Sequence, residues 1–195
     1  MPITANRTLE RLRAGEVAIG MSVRHLQGPV ASLVAAAAGY DWLFIDTESS
    51  VLTVEEASQT AMAALRTGVT PIVRVHQLAV HEASRFLDNG AMGIIVPHVS
   101  TAAEAQHVAS TLRYPPVGHR GWADAQAHFG YVQPSTLEAQ AQLDRKVMVI
   151  VMIETPEGVD NARAIADVEG IDVLLVGTAD LSTEMGVAGQ TGHAT

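Results

Sequence analysis

The chain has 195 residues, 12 basic against 21 acidic, for a formal charge of −9, and it contains no cysteine. That balance argues against a nucleic-acid or anionic-membrane binder. No disulfide can form and no leader-like N-terminal pattern is visible, so a cytoplasmic protein is the expectation. Hydrophobic residues make up 48% but aromatics only 4%. Such an Ala, Val, Ile and Leu content suits helices packed on buried parallel strands, and no apolar run approaches the ~20 residues of a membrane span.

Short β-branched runs alternate with Ala-rich amphipathic segments. Strands are predicted at Val17–Val23, Trp42–Asp46, Thr70–Val75, Gly93–Val99, Val147–Glu154 and Asp172–Val176. Helices are predicted between them, at Pro29–Ala38, Val54–Arg66, Val80–Asp88, Ala102–Leu112 and Glu157–Ala166. Gly39, Gly68 and Gly90 follow helical patterns, where a left-handed C-terminal cap favours a residue without Cβ. Thr53 and Thr101 each stand three residues before a glutamate, Glu56 and Glu104, the spacing of a capping box. Tyr114–Leu143, with Pro115-Pro116, Gly118, Gly121 and Gly130, reads as a long irregular loop.

Apolar strands separated by helices imply parallel pairing through right-handed crossovers. Six βα steps fit either a (β/α)₈ barrel or an open doubly wound sheet. No GxGxxG follows the first strand and no GxxxxGK[ST] occurs, which favours the barrel. A complete barrel takes ~250 residues, whereas the pattern ends after the sixth strand and Gly189–Thr195 reads as a loop. The expectation is therefore an α/β fold, a single TIM-barrel domain over residues 1–195 with about six βα units. Its open strand edges would be covered by other copies or by a longer native chain.

Working residues of a parallel barrel sit at the carboxyl ends of the strands. Those ends read Arg24-His25, Asp46-Thr47-Glu48-Ser49, Arg74-Val75-His76, His98, Glu154 and, just past the sixth strand, Asp180. Glu154 and Asp180 lie one βα unit apart, and two carboxylates without cysteine suit a hard ion such as Mg²⁺ or Mn²⁺. The alternative is that each caps a helix. Arg74, inside an apolar strand, must meet either an anion or a buried ion-pair partner. Of the eight histidines, His81, His107 and His128 read as solvated, while His25, His76 and His98 are candidate ligands or bases. No H-x-x-x-H or H-x-H spacing links these strand-end histidines, which disfavours a His-rich zinc site. The single lysine, Lys146, precedes the fifth strand at the amino end of the barrel. A Schiff-base lysine must sit beside the substrate carbonyl, so amine-dependent aldol chemistry is excluded.

Six motifs occur in order: Gly39-Tyr-Asp-Trp-Leu-Phe-Ile-Asp-Thr-Glu48, Pro71-Ile-Val-Arg-Val75, Leu87-Asp-Asn-Gly-Ala-Met-Gly-Ile-Ile-Val-Pro97, Arg113-Tyr-Pro-Pro-Val-Gly-His-Arg-Gly121, Ile153-Glu-Thr-Pro-Glu157 and Gly177-Thr-Ala-Asp-Leu-Ser182. Together they resemble the metal-dependent (class II) pyruvate aldolases of the HpcH/HpaI type, in the phosphoenolpyruvate/pyruvate barrel superfamily. The resemblance implies reversible cleavage of a 4-hydroxy-2-oxo acid to pyruvate and an aldehyde through a metal-stabilised enolate. It implies that Glu154 and Asp180 hold the divalent ion (Mg²⁺, Mn²⁺ or Co²⁺) and that Arg74 stands beside the keto oxygen. It also implies that Gly177, Thr178 and Ala179 receive the pyruvate carboxylate, and that the protein is a homo-oligomer, a hexamer or trimer of dimers. The family pattern after the second strand is Asp-x-Glu-His, with the aspartate orienting a histidine that transfers protons. Here Asp46 is followed by Ser49 in the histidine's place, and a hydroxyl without a pKa near neutrality cannot replace imidazole as base; His25 is a substitute to consider. Oxaloacetate decarboxylation, citrate-lyase-like C–C cleavage, or an α-keto-acid-binding barrel without turnover are the alternatives on the same residues.

Overall fold

The computed structural model describes residues 3–26, 28–132, 134–190 and 192–193. In chain order these form α1 (Arg7–Arg13), β1 (Gly20–Val23), α2 (Pro29–Ala37), β2 (Trp42–Asp46), α3 (Val54–Thr67), β3 (Thr70–Arg74), α4 (Ala83–Asp88) and β4 (Gly93–Val96). Then follow α5 (Ala102–Leu112), α6 (Thr136–Lys146), β5 (Met148–Ile153), α7 (Pro156–Asp160), α8 (Ala162–Ala166), β6 (Val173–Val176) and α9 (Thr178–Glu184). 3₁₀ turns lie at Gln77–Glu82, broken by a kink at Ala79, and at Ala127–Phe129. The strands succeed one another in the sheet in chain order, β1 to β6. This is the α/β alternation of the first six units of a (β/α)₈ barrel.

The chain divides into two compact units, residues 1–94 with 121–148, and residues 95–120 with 149–195. In the first, β1, β2 and β3 pair in parallel, with Gly20 opposite Trp42 and Trp42 opposite Thr70. The same register sets Asp46 opposite Arg74. Every residue of β3 is buried, as expected of a strand covered on both faces. Helix α3 buries the small residues Ala57, Ala61 and Ala64, spaced at helical period. Its N-terminus carries the full capping box of Thr53 and Glu56, and it ends on Gly68 at φ 78°. In the second unit β5 pairs with β6 in parallel, Ile153 opposite Val176, so Glu154 and Gly177 follow as the next residues of their chains. Thr101 and Glu104 form a second capping box at the head of α5.

Several expectations are corrected. The first strand begins at Gly20 rather than Val17, and Val17 and Ile19 are exposed. The third predicted helix, Val80–Asp88, is divided into a 3₁₀ segment and α4. The predicted helix Glu157–Ala166 is two short helices meeting at Asn161, which caps one and opens the other. The segment Tyr114–Leu143 is not wholly irregular, because α6 begins at Thr136. Helix α1 went unpredicted; its buried N-cap Asn6 accepts from Leu9 N–H and donates to the carbonyls of Met92 and Lys146. His128 is buried rather than solvated, its Nε2 bonding the Ala91 carbonyl at 2.9 Å. Lys146 closes α6 and pairs with Glu10 at 2.6 Å, ahead of β5 as expected. Of the predicted terminal loop, Thr191, Ala194 and Thr195 lie outside the described residues.

Candidate active site

In the first unit the carboxyl ends of β2 and β3 bring an acid and a base together. Arg74 donates from Nε to Asp46 Oδ1 (2.9 Å) and from Nη2 to Asp46 Oδ2 (2.7 Å), a bidentate pair between two buried side chains. Its Nη1 lies 3.0 Å from Glu48 Oε2, and Nη2 also reaches the Ser49 hydroxyl at 3.2 Å. Backbone N–H groups of Glu48 and Ser49 both donate to Asp46 Oδ1 at 3.1 Å. Arg24, immediately after β1, donates from Nε to Asp46 Oδ2 at 2.9 Å. Burial alone would raise the Asp46 pKa, but hydrogen bonds from Arg74, the Ser49 N–H and Arg24 outweigh it and hold the value at about 2. Asp46 is therefore a fixed anion, not a base at neutral pH.

The inward-pointing residues of these strands line a cavity of about 430 Å³. Gly20, Ser22 and Arg24 form one wall, Trp42, Phe44 and Asp46 the next, and Arg74 the third. Trp42 and Phe44 are tilted neighbours with centroids 6.1 Å apart, and the Arg74 guanidinium lies 5.3 Å from the Phe44 ring centre. Gly20 is required there, since a Cβ would fall 2.3 Å from the Trp42 ring.

In the second unit Glu154 is buried at the end of β5. Its Oε2 accepts from the His98 backbone N–H at 2.9 Å and lies 3.5 Å from His98 Nδ1. His98 holds a φ of 54°, a conformation uncommon for a residue with a side chain. The Glu154 carboxylate rests against the backbone of Gly177, where a Cβ would come within 2.4 Å of Oε1. Gly177 is the N-cap of α9, Thr178 and Ala179 open that helix, and Asp180 lies exposed in its first turn. Asp180 is thus a helix residue rather than a strand-end one. Among the described residues no group of three or more His, Asp or Glu side chains is arranged to hold a metal ion. Two oxygen-donor side chains, one of them buried in a cradle only glycine leaves open, nonetheless suit a hard divalent ion that keeps water and substrate as its other ligands.

The structure therefore joins Asp46, Ser49 and Arg74 in one cluster and sets Glu154 against Gly177 in another. Arg74 has the buried ion-pair partner its position demanded. Ser49 does not cap α3, a role taken by Thr53. His25 and His76 are exposed. The sequence named Arg24 without giving it a role, although period-two alternation along Gly20, Ser22 and Arg24 places it on the cavity side.

The family profile described as HpcH/HpaI aldolase/citrate lyase matches residues 26–195. A 4-hydroxy-4-methyl-2-oxoglutarate aldolase of Chaetomium globosum is 41% identical over 188 residues, covering 95% of this chain and 70% of that protein. A 2-keto-3-deoxy-L-rhamnonate aldolase of Escherichia coli K12 is 34% identical over 194 residues, covering 98% of this chain and 71% of that one. Among solved structures, an HpcH/HpaI aldolase from Desulfitobacterium hafniense superposes with a TM-score of 0.86 at 28% identity, over 95% of this chain and 71% of the other. With a profile spanning most of its length and relatives at this identity, the chain belongs to the HpcH/HpaI aldolase/citrate lyase family.

Proposed function

We propose that this chain is a carbon–carbon lyase, a metal-dependent aldolase that cleaves 4-hydroxy-2-oxo acids to pyruvate and an aldehyde. The observation that carries the reading is Arg74, a nearly buried guanidinium locked by Asp46 into the wall of a cavity. A cation fixed before the reaction, in a site lined by Trp42 and Phe44, is placed to stabilise negative charge as it develops on an oxygen. Glu154 and Asp180 would hold the divalent ion, Mg²⁺ or Mn²⁺. When bound, such an ion supplies Lewis-acid polarisation of an α-keto acid carbonyl.

In the cleavage step the C4 hydroxyl gives its proton to solvent water and the C3–C4 bond breaks. Its electron pair passes to C3, giving the pyruvate enolate and the free aldehyde; protonation at C3 then yields pyruvate. The role we assign to Arg74 is to stabilise the enolate oxygen, and the role we assign to the backbone of Gly177, Thr178 and Ala179 is to receive the carboxylate. Asp46 holds Arg74 in place and is not the proton acceptor, because its own carboxylate is already bonded to several donors. The Ser49 hydroxyl beside Arg74 gives a second reading some support: oxaloacetate decarboxylation needs no base for a C4 hydroxyl. A homo-oligomer working in the cytoplasm is part of the same proposal, and the exposed apolar residues Val30, Leu33 and Val34 along α2 suit a subunit contact.

The test is pyruvate release from 4-hydroxy-2-oxopentanoate and 4-hydroxy-2-oxoglutarate, with and without Mn²⁺, alongside oxaloacetate decarboxylation. Metal-dependent pyruvate from either hydroxy acid, lost in Arg74→Met, is the expected result. Decarboxylation alone would establish the second reading, and metal-dependent pyruvate binding with neither activity would support an α-keto-acid-binding protein.

A further inference from the structure

We infer that Asn89 is a spontaneous modification site: its side-chain amide is lost by attack of the Gly90 backbone nitrogen, leaving aspartate or isoaspartate at the seam between α4 and β4. The chain has three asparagines, Asn6, Asn89 and Asn161, and of these only Asn89 precedes a glycine. The structure separates them further. Asn6 is buried, and its side chain is committed to the Leu9 N–H and to the carbonyls of Met92 and Lys146. Asn161 donates to the Ser100 carbonyl at 2.9 Å and is followed by Ala162, whose Cβ crowds the nitrogen that would attack. Asn89 is exposed and caps α4, a helix of only six residues. Its Nδ2 donates to the Arg85 carbonyl at 2.7 Å, beside a groove of about 680 Å³ through which water reaches it. Among the described residues the Gly90 N–H has no acceptor, whereas the N–H groups of Asn89 and Ala91 both donate to the Phe86 carbonyl.

The step balances with water as its only reagent. The Gly90 nitrogen bonds to Asn89 Cγ, its proton passes to the side-chain nitrogen, and the Cγ–Nδ2 bond breaks to release ammonia. The five-membered imide that results then takes up water. Hydrolysis at Cγ restores the main chain with an aspartate in place of Asn89. Hydrolysis at the main-chain carbonyl leaves isoaspartate, with one extra methylene in the backbone. Glycine matters twice, since it puts no Cβ in the path of the attack and at φ 103° lets the chain turn freely. Asn89 sits at ψ 28°, so the attack needs the last turn of α4 to open, and the end of a short helix frays at little cost. Both products act on the fold. Each loses the donor to Arg85 and adds a negative charge beside Asp88, at the carboxyl end of the helix dipole. Isoaspartate also lengthens a turn without slack, because a Cβ on Gly90 would already fall 3.2 Å from Leu65 and 3.3 Å from Met62. The next two carbonyls, of Ala91 and Met92, receive His128 Nε2 and Asn6 Nδ2, so the lengthened turn disturbs the seats of α1 and of the 127–129 turn.

The test holds the folded full chain in mildly alkaline buffer made with heavy-oxygen water, beside a urea-unfolded control, and follows each asparagine peptide by chromatography and mass spectrometry. The Asn89 peptide should take up one heavy oxygen and resolve into two products. Its rate should lie within about 10-fold of the unfolded chain's, because opening at a frayed helix end costs close to nothing. Asn6 and Asn161 should stay intact in the folded chain. Asn89→Gln keeps an amide but would need a larger ring, and should end the acidic drift read by isoelectric focusing. The isoaspartate fraction should lose hydrogen-exchange protection in α1 and α4 that the aspartate fraction retains. An Asn89 peptide that stays intact in the folded chain while it converts in urea would overturn the inference. So would an acidic drift that persists in Asn89→Gln. Equal protection in the two product fractions would overturn the effect assigned to the lengthened turn.

Discussion

Asp46 receives hydrogen bonds from two guanidinium groups and two backbone N–H groups, and its pKa of about 2 against an ordinary 3.8 is the result. A carboxyl group whose folded-state pKa is depressed stabilises the fold above its unfolded value and loses that contribution as pH falls through the folded one. The contribution of Asp46 is therefore complete above about pH 4 and is lost on the way to pH 2. Urea unfolding over pH 6 to 2 should show this loss, and Asp46→Asn should lack it. At pH 7 the same substitution leaves buried Arg74 without its main counter-charge and should cost about 3–5 kcal/mol. Ser49, whose hydroxyl is 3.2 Å from Arg74 Nη2, lies where an added imidazole would stand beside the same cation. Ser49→His should raise aldol turnover roughly 10²- to 10⁴-fold, the usual worth of a placed base. The pH profile of that variant should titrate near the imidazole value of ~6.5. An unmoved rate in a folded, metal-loaded variant would mean that the missing imidazole is not what limits the step.

At the scale of elements, what could be read from the sequence was what is specified locally. The capping boxes at Thr53 and Thr101 and the bounds of β2 and α5 need only neighbours in the chain, and they lie where the pattern put them. Helix α6 buries only Ala139 and Leu143, too thin an apolar stripe to stand out by periodicity. Helix α1 is held by Asn6 reaching carbonyls far along the chain, a tertiary contact with no local signature beyond the cap itself. Likewise the carboxylates and Arg74 were legible as polar breaks in apolar strands, whereas the partner each would take was not. The junction of β6 and α9 supplies a prediction of its own. Gly177→Ala would place a Cβ 2.4 Å from Glu154 Oε1, and the carboxylate is the part that can move. The fold should persist while Mn²⁺ affinity, measured by calorimetry, drops roughly 10- to 100-fold, the scale seen when a ligand loses its orientation. Unchanged affinity would show that Glu154 does not need its present position to bind the ion.

For the molecule as a whole, the formal charge of −9 complicates any effect of a divalent cation, because a diffuse acidic surface attracts such ions without a site. The two sources separate by salt and by mutation. Diffuse attraction is screened at physiological ionic strength, where the Debye length is about 8 Å. An ion held by Glu154 and Asp180 binds the folded chain and not the unfolded one, so its binding adds to stability by linkage. At a free concentration 100 times the dissociation constant, the gain is about 2.7 kcal/mol. For a chain of this size, that corresponds to a rise in Tm of roughly 5–10 °C. Thermal unfolding in 150 mM NaCl should therefore show a Tm that climbs with Mn²⁺ and saturates, with hydrogen-exchange protection gained in Val149–Ile153 and Thr178–Glu184. Glu154→Gln combined with Asp180→Asn should abolish the rise, since the neutral amides keep the shape and remove both charged oxygen donors. A Tm that climbs equally in the double variant would assign the effect to diffuse charge and remove the metal from these two residues.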